Sequence, residues 1–211
     1  MFDAETIRFL TDLAAQNSRD WFTENRARYD THVAAPAKAF VGSLEAALSR
    51  HTGGPVTSKL FRIHRDVRFS KDKTPYNTHV HMAWHSADAP LWWMVGLQID
   101  TLVIGYGCFG FEKSRLDVWR ETVSGEAGAA LDDLLTGMQA QGLRISAPEL
   151  KRVPAPFAAD HPRGALLRHK SLAVWNDHLP QSAAFGDDAP ARLARELTAF
   201  DPLHRWFQDN L

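Results

Sequence analysis

The chain has 211 residues, 45% of them hydrophobic and 23% charged, which is the composition of a globular protein large enough to bury its own core. Its formal net charge of −1 argues against a protein that wraps nucleic acid over its whole surface, and no apolar run approaches the roughly 20 residues that span a bilayer. The single cysteine, Cys108, excludes an internal disulfide, and the first residues lack the basic and apolar regions of a secretory signal, so we expect a cytoplasmic protein without a membrane segment.

The first part of the chain is predicted to be helical. Apolar residues recur at helical spacing over Thr6–Ala15, and Ser18 is a typical N-cap residue for a second helix. Pro36 favours the start of a third helix, which Gly53-Gly54 would end. Residues 1–52 are therefore expected to form a helical N-terminal part of the protein.

The next segment has the two-residue alternation of β-strands. From about 60 to 69 and from about 78 to 85, apolar side chains alternate with charged residues or histidines. The residues between them, 70–77, include Asp, Pro and Asn and are typical of a turn. We therefore predict a central β-hairpin with a long loop, in an antiparallel sheet, with one side of the hairpin in the core. The predicted buried side consists of Phe61, Ile63, Val67, Val80, Met82 and Trp84.

The same alternation predicts that the polar residues of both strands share one surface, which we call the polar face. Its predicted members are Arg62, His64, Asp66, Arg68, His79, His81 and His85. Arg65 is the exception, because alternation directs its side chain toward the core, where an unpaired charge costs several kcal/mol. Asp72, or an acidic residue elsewhere in the chain, is the expected partner of Arg65.

The remainder of the chain alternates strand and helix patterns. Strands are predicted at 91–100, 102–106, 143–145 and 171–175, and helices after Ser114 and at 126–141, 164–170, 191–200 and 202–207. The spaced glycines of YGCFGF lack the fingerprints of a nucleotide-binding loop and indicate a bulged or closely packed strand end. We therefore predict a single α+β domain over 1–211, in which helices from both ends of the chain pack against the sheet. Its predicted parts are helical at 1–52, sheet at 56–110, and mixed helix and strand at 112–211.

The polar face and the adjoining loop carry the residues from which we predict a function. Arginine forms bidentate hydrogen bonds with phosphate or carboxylate oxygens, and two or three charge-assisted bonds together would give usable affinity. The candidate ligand-binding residues are Arg62, Arg65, Arg68, Lys73 and Tyr76, and the candidate catalytic residues are Asp66 and His79. The alternative is that Arg65, Asp66, Arg68 and Asp72 neutralise one another and hold the loop in place.

A row of histidines is the second candidate site. His79, His81 and His85 would lie on one side of a strand, and two histidines at i and i+2 can bind Zn²⁺ or Fe²⁺ together with a carboxylate. The nearby arginines raise the local positive potential against a cation, so we predict a solvated histidine row and no metal or other cofactor. Cys108 lies in an apolar run and is predicted to be a buried small side chain rather than a nucleophile.

We therefore predict a protein that binds a small phosphorylated or carboxylated ligand on its polar face, with enzymatic activity left open. The alternative is a non-catalytic module that binds nucleic acid or a protein partner through the same surface, with Trp92 or Trp93 exposed beside it. Enclosure of Arg68 and His79 in a concave surface would favour the enzyme, and a flat or convex surface would favour the module. The oligomeric state does not follow from the sequence.

The residues of the predicted hairpin also carry a family resemblance. The run FRIHRDVRFSKDKTPY at 61–76, followed by Thr78-His79, resembles the signature of the bacterial and fungal family called domain of unknown function 2461. The resemblance covers most of the chain, because it extends to NSRDWF at 17–22, LKRVP at 150–154 and His161-Pro162. At position 64 the family pattern has Tyr more often than His, so the resemblance supports His64 less than its neighbours. It implies no activity.

Overall fold

The computed structural model of the protein describes residues 1–86 and 90–211. These residues form two compact units, one of 1–86, 94–104 and 178–196 and the other of 90–93, 105–177 and 197–211. The α-helices are α1 Ala4–Ala15, α2 Arg19–Glu24, α3 Arg26–Tyr29, α4 Ala35–Thr52, α5 Lys113–Ser124, α6 Glu126–Ala140, α7 Gly164–Leu167, α8 Ala189–Leu197 and α9 Asp201–Asn210. The strands are β1 Val56–Leu60, β2 Val80–Ser86, β3 Trp92–Leu97, β4 Thr101–Cys108, β5 Arg144–Ile145 and β6 Leu172–Pro180. No helix within the described ranges is long and apolar enough to cross a membrane.

The described strands form a six-stranded sheet in the order β1-β2-β3-β4-β6-β5. Helices precede and follow the sheet along the chain, so the predicted α+β class with an antiparallel sheet is confirmed. The hairpin is formed by β1 and β2, and it lies at one edge of the sheet because β1 is the first strand of the order. The sheet region predicted at 56–110 includes residues 87–89, which lie outside the described residues, and it omits β5 and β6.

The first strand of the hairpin ends earlier than the alternation predicts. β1 pairs with β2 up to Leu60 opposite Met82, and the predicted continuation of the strand over 61–69 is wrong. Farther along, the two arms keep isolated contacts, such as the Arg65 N–H, which donates to the Pro75 carbonyl oxygen at 2.9 Å. Because Pro75 has no N–H, it cannot donate a ladder bond in return, and regular pairing does not resume. Residues 61–79 therefore form a long, irregular connection between β1 and β2.

The side chains of this connection still alternate, although the ladder has ended. Ile63 is buried and Arg65 and Val67 are half-buried, while the residues between them are exposed. The prediction that Phe61 is buried is wrong: it is 39% exposed, and its ring packs on His81 with 6.4 Å between ring centroids. Burial on β2 is as predicted for Val80, Met82 and Trp84.

The first two helices begin at side-chain caps. Ser18 Oγ accepts a hydrogen bond from the Trp21 N–H at 3.2 Å, which confirms it as the N-cap of α2. At the start of α1, Asp3 Oδ1 accepts from the Thr6 N–H at 3.1 Å and Thr6 Oγ1 accepts from the Asp3 N–H at 3.2 Å. Thr6 Oγ1 also donates to the His32 carbonyl oxygen at 2.7 Å. This bond ties α1 to the π-helical turn that leads into α4.

The end of β4 makes a close backbone contact with β6. A Cβ on Gly107, whose φ is +153°, would lie 2.1 Å from the Leu172 carbonyl oxygen, and a Cβ on Gly105 would lie 2.3 Å from the Trp175 ring. The two strands could not approach this closely with side chains at these positions. The predicted closely packed strand end is therefore confirmed, and Cys108 beside it is fully buried as predicted.

Candidate functional site

A polar cavity of about 390 Å³ is lined by the connection between β1 and β2 and by the start of β2, and we call it the hairpin cleft. Its volume falls in the range of small-molecule sites, about 300–1,000 Å³. The cleft brings together a large part of the predicted polar face. Its charged and amide lining residues are Arg62, Arg65, Asp66 and Asn77, and its ring-bearing lining residues are Phe61, His64, His79 and His81.

Asn17 holds the connection in place from the junction between α1 and α2. Its Nδ2 donates to the Tyr76 carbonyl oxygen at 2.9 Å, and its Oδ1 accepts from the Tyr76 N–H at 3.1 Å. The Tyr76 ring stacks on Phe22 with 4.1 Å between centroids and is 6% exposed. Tyr76, a candidate ligand-binding residue, thus lies in a buried anchor of the connection.

Arg65 is fixed by the loop on which it lies. Its Nη1 donates to Asp72 Oδ2 at 2.6 Å and to the Thr74 carbonyl oxygen at 3.0 Å, so Asp72 is the partner that the sequence suggests. The Thr74 N–H donates to Asp72 Oδ1 at 2.9 Å. The pKa of Asp72 is lowered to about 2, mainly by this backbone N–H and then by Arg65. The half-buried guanidinium group is therefore a preorganised positive charge in the cleft wall.

Asp66 and Arg68 form a pair on the exposed side of the connection. Arg68 Nε donates to Asp66 Oδ1 at 2.9 Å and Arg68 Nη2 donates to Asp66 Oδ2 at 2.6 Å. This pairing is the main reason why the pKa of Asp66 is lowered. Arg68 is 77% exposed and is absent from the described lining of the cleft, as is Lys73, whose Nζ donates to the Val67 carbonyl oxygen at 2.9 Å. Of the two residues expected to be enclosed together, the cleft contains only His79.

His79 and His81 form a stacked pair in the cleft, with 4.0 Å between ring centroids and an angle of 29° between ring planes. Burial lowers the pKa of His79, and the positive charge of Arg65 lowers it further. Burial also lowers the pKa of His81, to about 4, with a smaller effect of His79. Both imidazoles are therefore neutral at pH 7, so each offers one N–H donor and one nitrogen acceptor.

The histidine row does not form a metal site within the described residues. No three histidine, cysteine or acidic side chains there are arranged to hold a metal ion. His85 lies opposite Thr57 in the ladder, and its Nδ1 is 3.0 Å from the Ser86 carbonyl oxygen. His79 and His81 instead face each other in the stack described above.

Four lining residues had no anion-binding or catalytic role in the sequence analysis: Phe61, His64, Asn77 and His81. His64 and His81 were predicted members of the polar face, and the i+2 spacing from His79 made His81 a candidate metal ligand rather than an anion-binding residue. Phe61 was missed because the alternation predicts a buried position in the core for it. Asn77 carries no periodic signal; its N–H donates to the Ile63 carbonyl oxygen at 2.7 Å, and its side chain reaches the Arg62 carbonyl oxygen at 3.4 Å.

Comparison with known proteins identifies a family that the chain matches. A family model described as "Conserved hypothetical protein (DUF2461)" matches residues 5–206 of the chain. A search of curated proteins found none that matches. The match spans the hairpin cleft and both compact units.

Proposed function

We propose that the hairpin cleft of this chain, which belongs to the DUF2461 family of conserved hypothetical proteins, binds a small phosphorylated or carboxylated compound. The observation that carries this proposal is the combination of two arginines and two neutral histidines in a cavity of about 390 Å³. Such a cavity can surround a small anion with donors on several sides.

Arg62 is the primary anion-binding residue of the proposal. Within the described part of the chain its side chain makes no hydrogen bond or ion pair, although it lines the cleft. Its five N–H donors are therefore available to phosphate or carboxylate oxygens. Arg65 supplies a second charge from a fixed position, since Asp72 and Thr74 hold it through Nη1. Arg68, Lys73 and Tyr76 are assigned supporting roles, because their contacts shape or anchor the connection.

His79 is the proposed proton carrier if the bound compound reacts. A neutral imidazole can accept a proton at pH 7, and stacking on His81 restricts the orientation of the His79 ring. Asp66 lines the same cleft, but its carboxylate is held by Arg68 and its pKa is lowered, so it serves as an acceptor for ligand hydroxyl or amide groups. Binding is the core of the proposal, and proton transfer by His79 extends it.

A second candidate function has one observation in its favour. Phe69 is 96% exposed, with the Arg68 guanidinium carbon 5.9 Å from its ring centroid and the exposed Lys71 and Lys73 nearby in sequence. An exposed ring beside several cations is typical of surfaces that stack the bases of single-stranded nucleic acid. In this alternative the connection is a docking surface without chemistry. The tryptophan pair contributes less, because Trp93 is buried and Trp92 half-buried.

Thermal unfolding with a panel of small phosphates, sugar phosphates, nucleotides, carboxylates and a short oligothymidylate tests both functions. A ligand at a hundred times its dissociation constant stabilises the folded state by about 2.7 kcal/mol, which raises the Tm of a chain of this size by about 5–10 °C. We expect at least one small anion to produce such a shift, and Arg62→Ala to abolish it without lowering the Tm of the free protein.

The matched control is Arg19→Ala, which removes an exposed arginine at the start of α2. It should leave the ligand-induced shift unchanged. A small-anion shift that survives Arg62→Ala would contradict the proposed site, as would a panel in which no small anion acts. A shift with oligothymidylate alone, lost in Phe69→Ala and retained in Arg62→Ala, would establish the nucleic-acid alternative instead.

A further inference from the structure

A second cavity, of about 470 Å³, lies beside α7 in the unit that contains residues 105–177, and we call it the α7 cleft. Its basic lining residues are Lys151, Arg152, His161 and Arg168. Its apolar lining includes Val153, Ala159, Pro162 and Ala165. None of the lining residues that the structure describes is acidic. The cleft therefore combines positive charge with apolar surface.

The walls of the α7 cleft are held by backbone hydrogen bonds. The Leu150 N–H donates to the Arg168 carbonyl oxygen at 3.0 Å, which joins the two ends of the lining segment. The Gly164 N–H donates to the His161 carbonyl oxygen at 2.8 Å, which closes the turn before α7. A Cβ on Gly164 would lie 3.1 Å from Val153 Cγ2, so the chain on the two sides of the cleft is in close contact there. The cavity is thus part of the folded backbone rather than a gap between loose side chains.

The basic side chains in and near the cleft differ in whether they already donate hydrogen bonds to the protein. Arg163 is near the cleft in sequence, but its Nε and Nη2 donate to the Val123 and Ser124 carbonyl oxygens at 3.0 and 2.6 Å. Lys151 and Arg152, in contrast, make no side-chain hydrogen bond or ion pair with any described residue. Two exposed cations that line a cavity and have no acceptor in the described part of the chain are available to a ligand.

Two further donors in the cleft are oriented by the protein. Arg168 Nε donates to the Gly164 carbonyl oxygen at 3.2 Å, which positions the guanidinium group while Nη1 and Nη2 keep no acceptor among the described residues. His161 Nδ1 accepts from the Arg163 N–H at 3.1 Å. The neutral ring therefore carries its proton on Nε2, which is a donor. One arginine and one histidine are thus held in place by backbone groups before any ligand binds.

We propose that the α7 cleft is a binding site for a small organic phosphate or carboxylate whose remaining part is apolar. Lys151, Arg152 and Arg168 bind the anionic group, and His161 donates through Nε2. The apolar part packs on the aliphatic surfaces of Val153, Pro162 and Ala165. The volume of the cleft suits a ligand with one ring or a short acyl chain. This site is separate from the hairpin cleft in its residues and does not depend on the function proposed there.

Titration of the full chain with phenyl phosphate, followed by ¹H–¹⁵N NMR, tests the site. We expect amide shifts of residues 150–153 and 159–168 that saturate together. Inorganic phosphate should bind these residues at least tenfold more weakly, because it lacks the apolar part, and phenol should not bind them, because it lacks the charge. The same spectra report the hairpin cleft through residues 61–66 and 77–81, so success or failure at either cleft is read separately.

The double variant Lys151→Ala/Arg152→Ala should weaken phenyl phosphate binding at the α7 cleft at least tenfold and leave the spectrum elsewhere unchanged. The control is Lys38→Ala/Arg205→Ala, which removes the same charges from exposed positions on α4 and α9. The proposal is overturned if no shift appears at these residues with about 20 mM phenyl phosphate, enough to saturate a site with a dissociation constant near 1 mM. Equal weakening in both double variants, or equal affinity for phosphate and phenyl phosphate, would also overturn it.

Discussion

Residues of the same type in the β1–β2 connection have different partners, and these partners decide what each residue can do. Arg68 is bound twice by Asp66, and Arg65 is bound by Asp72 and Thr74. Arg62, three residues before Arg65, lines the same cleft without such a bond among the described residues. At the residue scale, most charges of the cluster therefore hold the connection together, and the proposed anion binding depends on the exception, Arg62.

The stability of the protein should fall as the pH falls below about 7, in part because of His81. In the unfolded chain a histidine binds a proton near pH 6.5, whereas folded His81 stays neutral down to about pH 4. The unfolded state thus binds more protons in this window, so the free energy of unfolding decreases as the pH falls from about 7 toward 4. Because the ring is only partly buried, we expect its contribution to be about 1–2 kcal/mol. Urea denaturation as a function of pH measures it.

The comparison that isolates His81 is a His81→Gln variant, which should lose less stability between about pH 7 and pH 5. The pKa of His79 is lowered in the same way by burial, so the variant should retain part of the pH dependence. Asp66 and Asp72 do not interfere in this range, since carboxyl groups whose pKa is lowered on folding affect stability only below about pH 5. The control Gln139→Ala, at an exposed position on α6, removes no titratable group and should keep the wild-type slope. An unchanged slope in His81→Gln would show that burial of this ring does not oppose its protonation.

At the scale of elements, the hairpin and the β4–β6 contact show that tertiary contacts, as well as local sequence patterns, decide how strands end and pack. Alternation continues beyond β1, but the connection is fixed by Asn17 and by the loop around Arg65 rather than by a ladder. At the other position, β6 approaches β4 closely because Gly105 and Gly107 have no side chains. In both places, the contact between elements depends on one or two particular residues.

Gly107→Ala should destabilise the protein by at least about 3 kcal/mol. The new Cβ would overlap the Leu172 carbonyl oxygen at 2.1 Å, and alanine is strained at a φ of +153°. The overlapped atom belongs to the backbone of β6, so side-chain movement cannot relieve the clash. Chemical denaturation of purified variants measures the change.

The same substitution elsewhere provides the control for Gly107. Gly42 lies exposed in α4, and a Cβ there would have no neighbour within 4 Å. Gly42→Ala should therefore stabilise the protein by about 0.5–1 kcal/mol through the lower entropy of the unfolded chain. Equal and small effects at the two positions would contradict the close contact of β4 and β6.

At the scale of the whole molecule, the lone thiol is a probe of global opening. Cys108 lies at the end of β4, is fully buried, and has its pKa raised by burial. We expect Ellman's reagent to react with it at least about a thousandfold more slowly in the native protein than in denaturant, because reaction requires an opening that costs about 5 kcal/mol or more. The rate of absorbance change, compared with that of free cysteine, measures this protection.

The labelling rate should also follow the stability of the variants. Gly107→Ala, next to Cys108, should speed the reaction, and Gly42→Ala should leave it equal or slower. Rapid stoichiometric labelling of the native wild-type protein would show that the end of β4 is accessible, which the described burial does not allow.

By itself, the sequence determined the α+β class, the helices with the Ser18 cap, the separation of apolar from basic residues around the hairpin, and the partnership of Arg65 with Asp72. These features depend on short-range periodicity and on groups close together in the chain. Only the tertiary structure decided that β1 ends at Leu60. An extended connection keeps a two-residue side-chain alternation without a hydrogen-bonded ladder. The alternation alone therefore cannot distinguish such a connection from a β-strand. Tertiary contacts also decided that Asn17 anchors the connection at Tyr76 and that Arg62, rather than Arg68, lines the cleft. Burial and hydrogen-bond partners depend on residues distant in sequence.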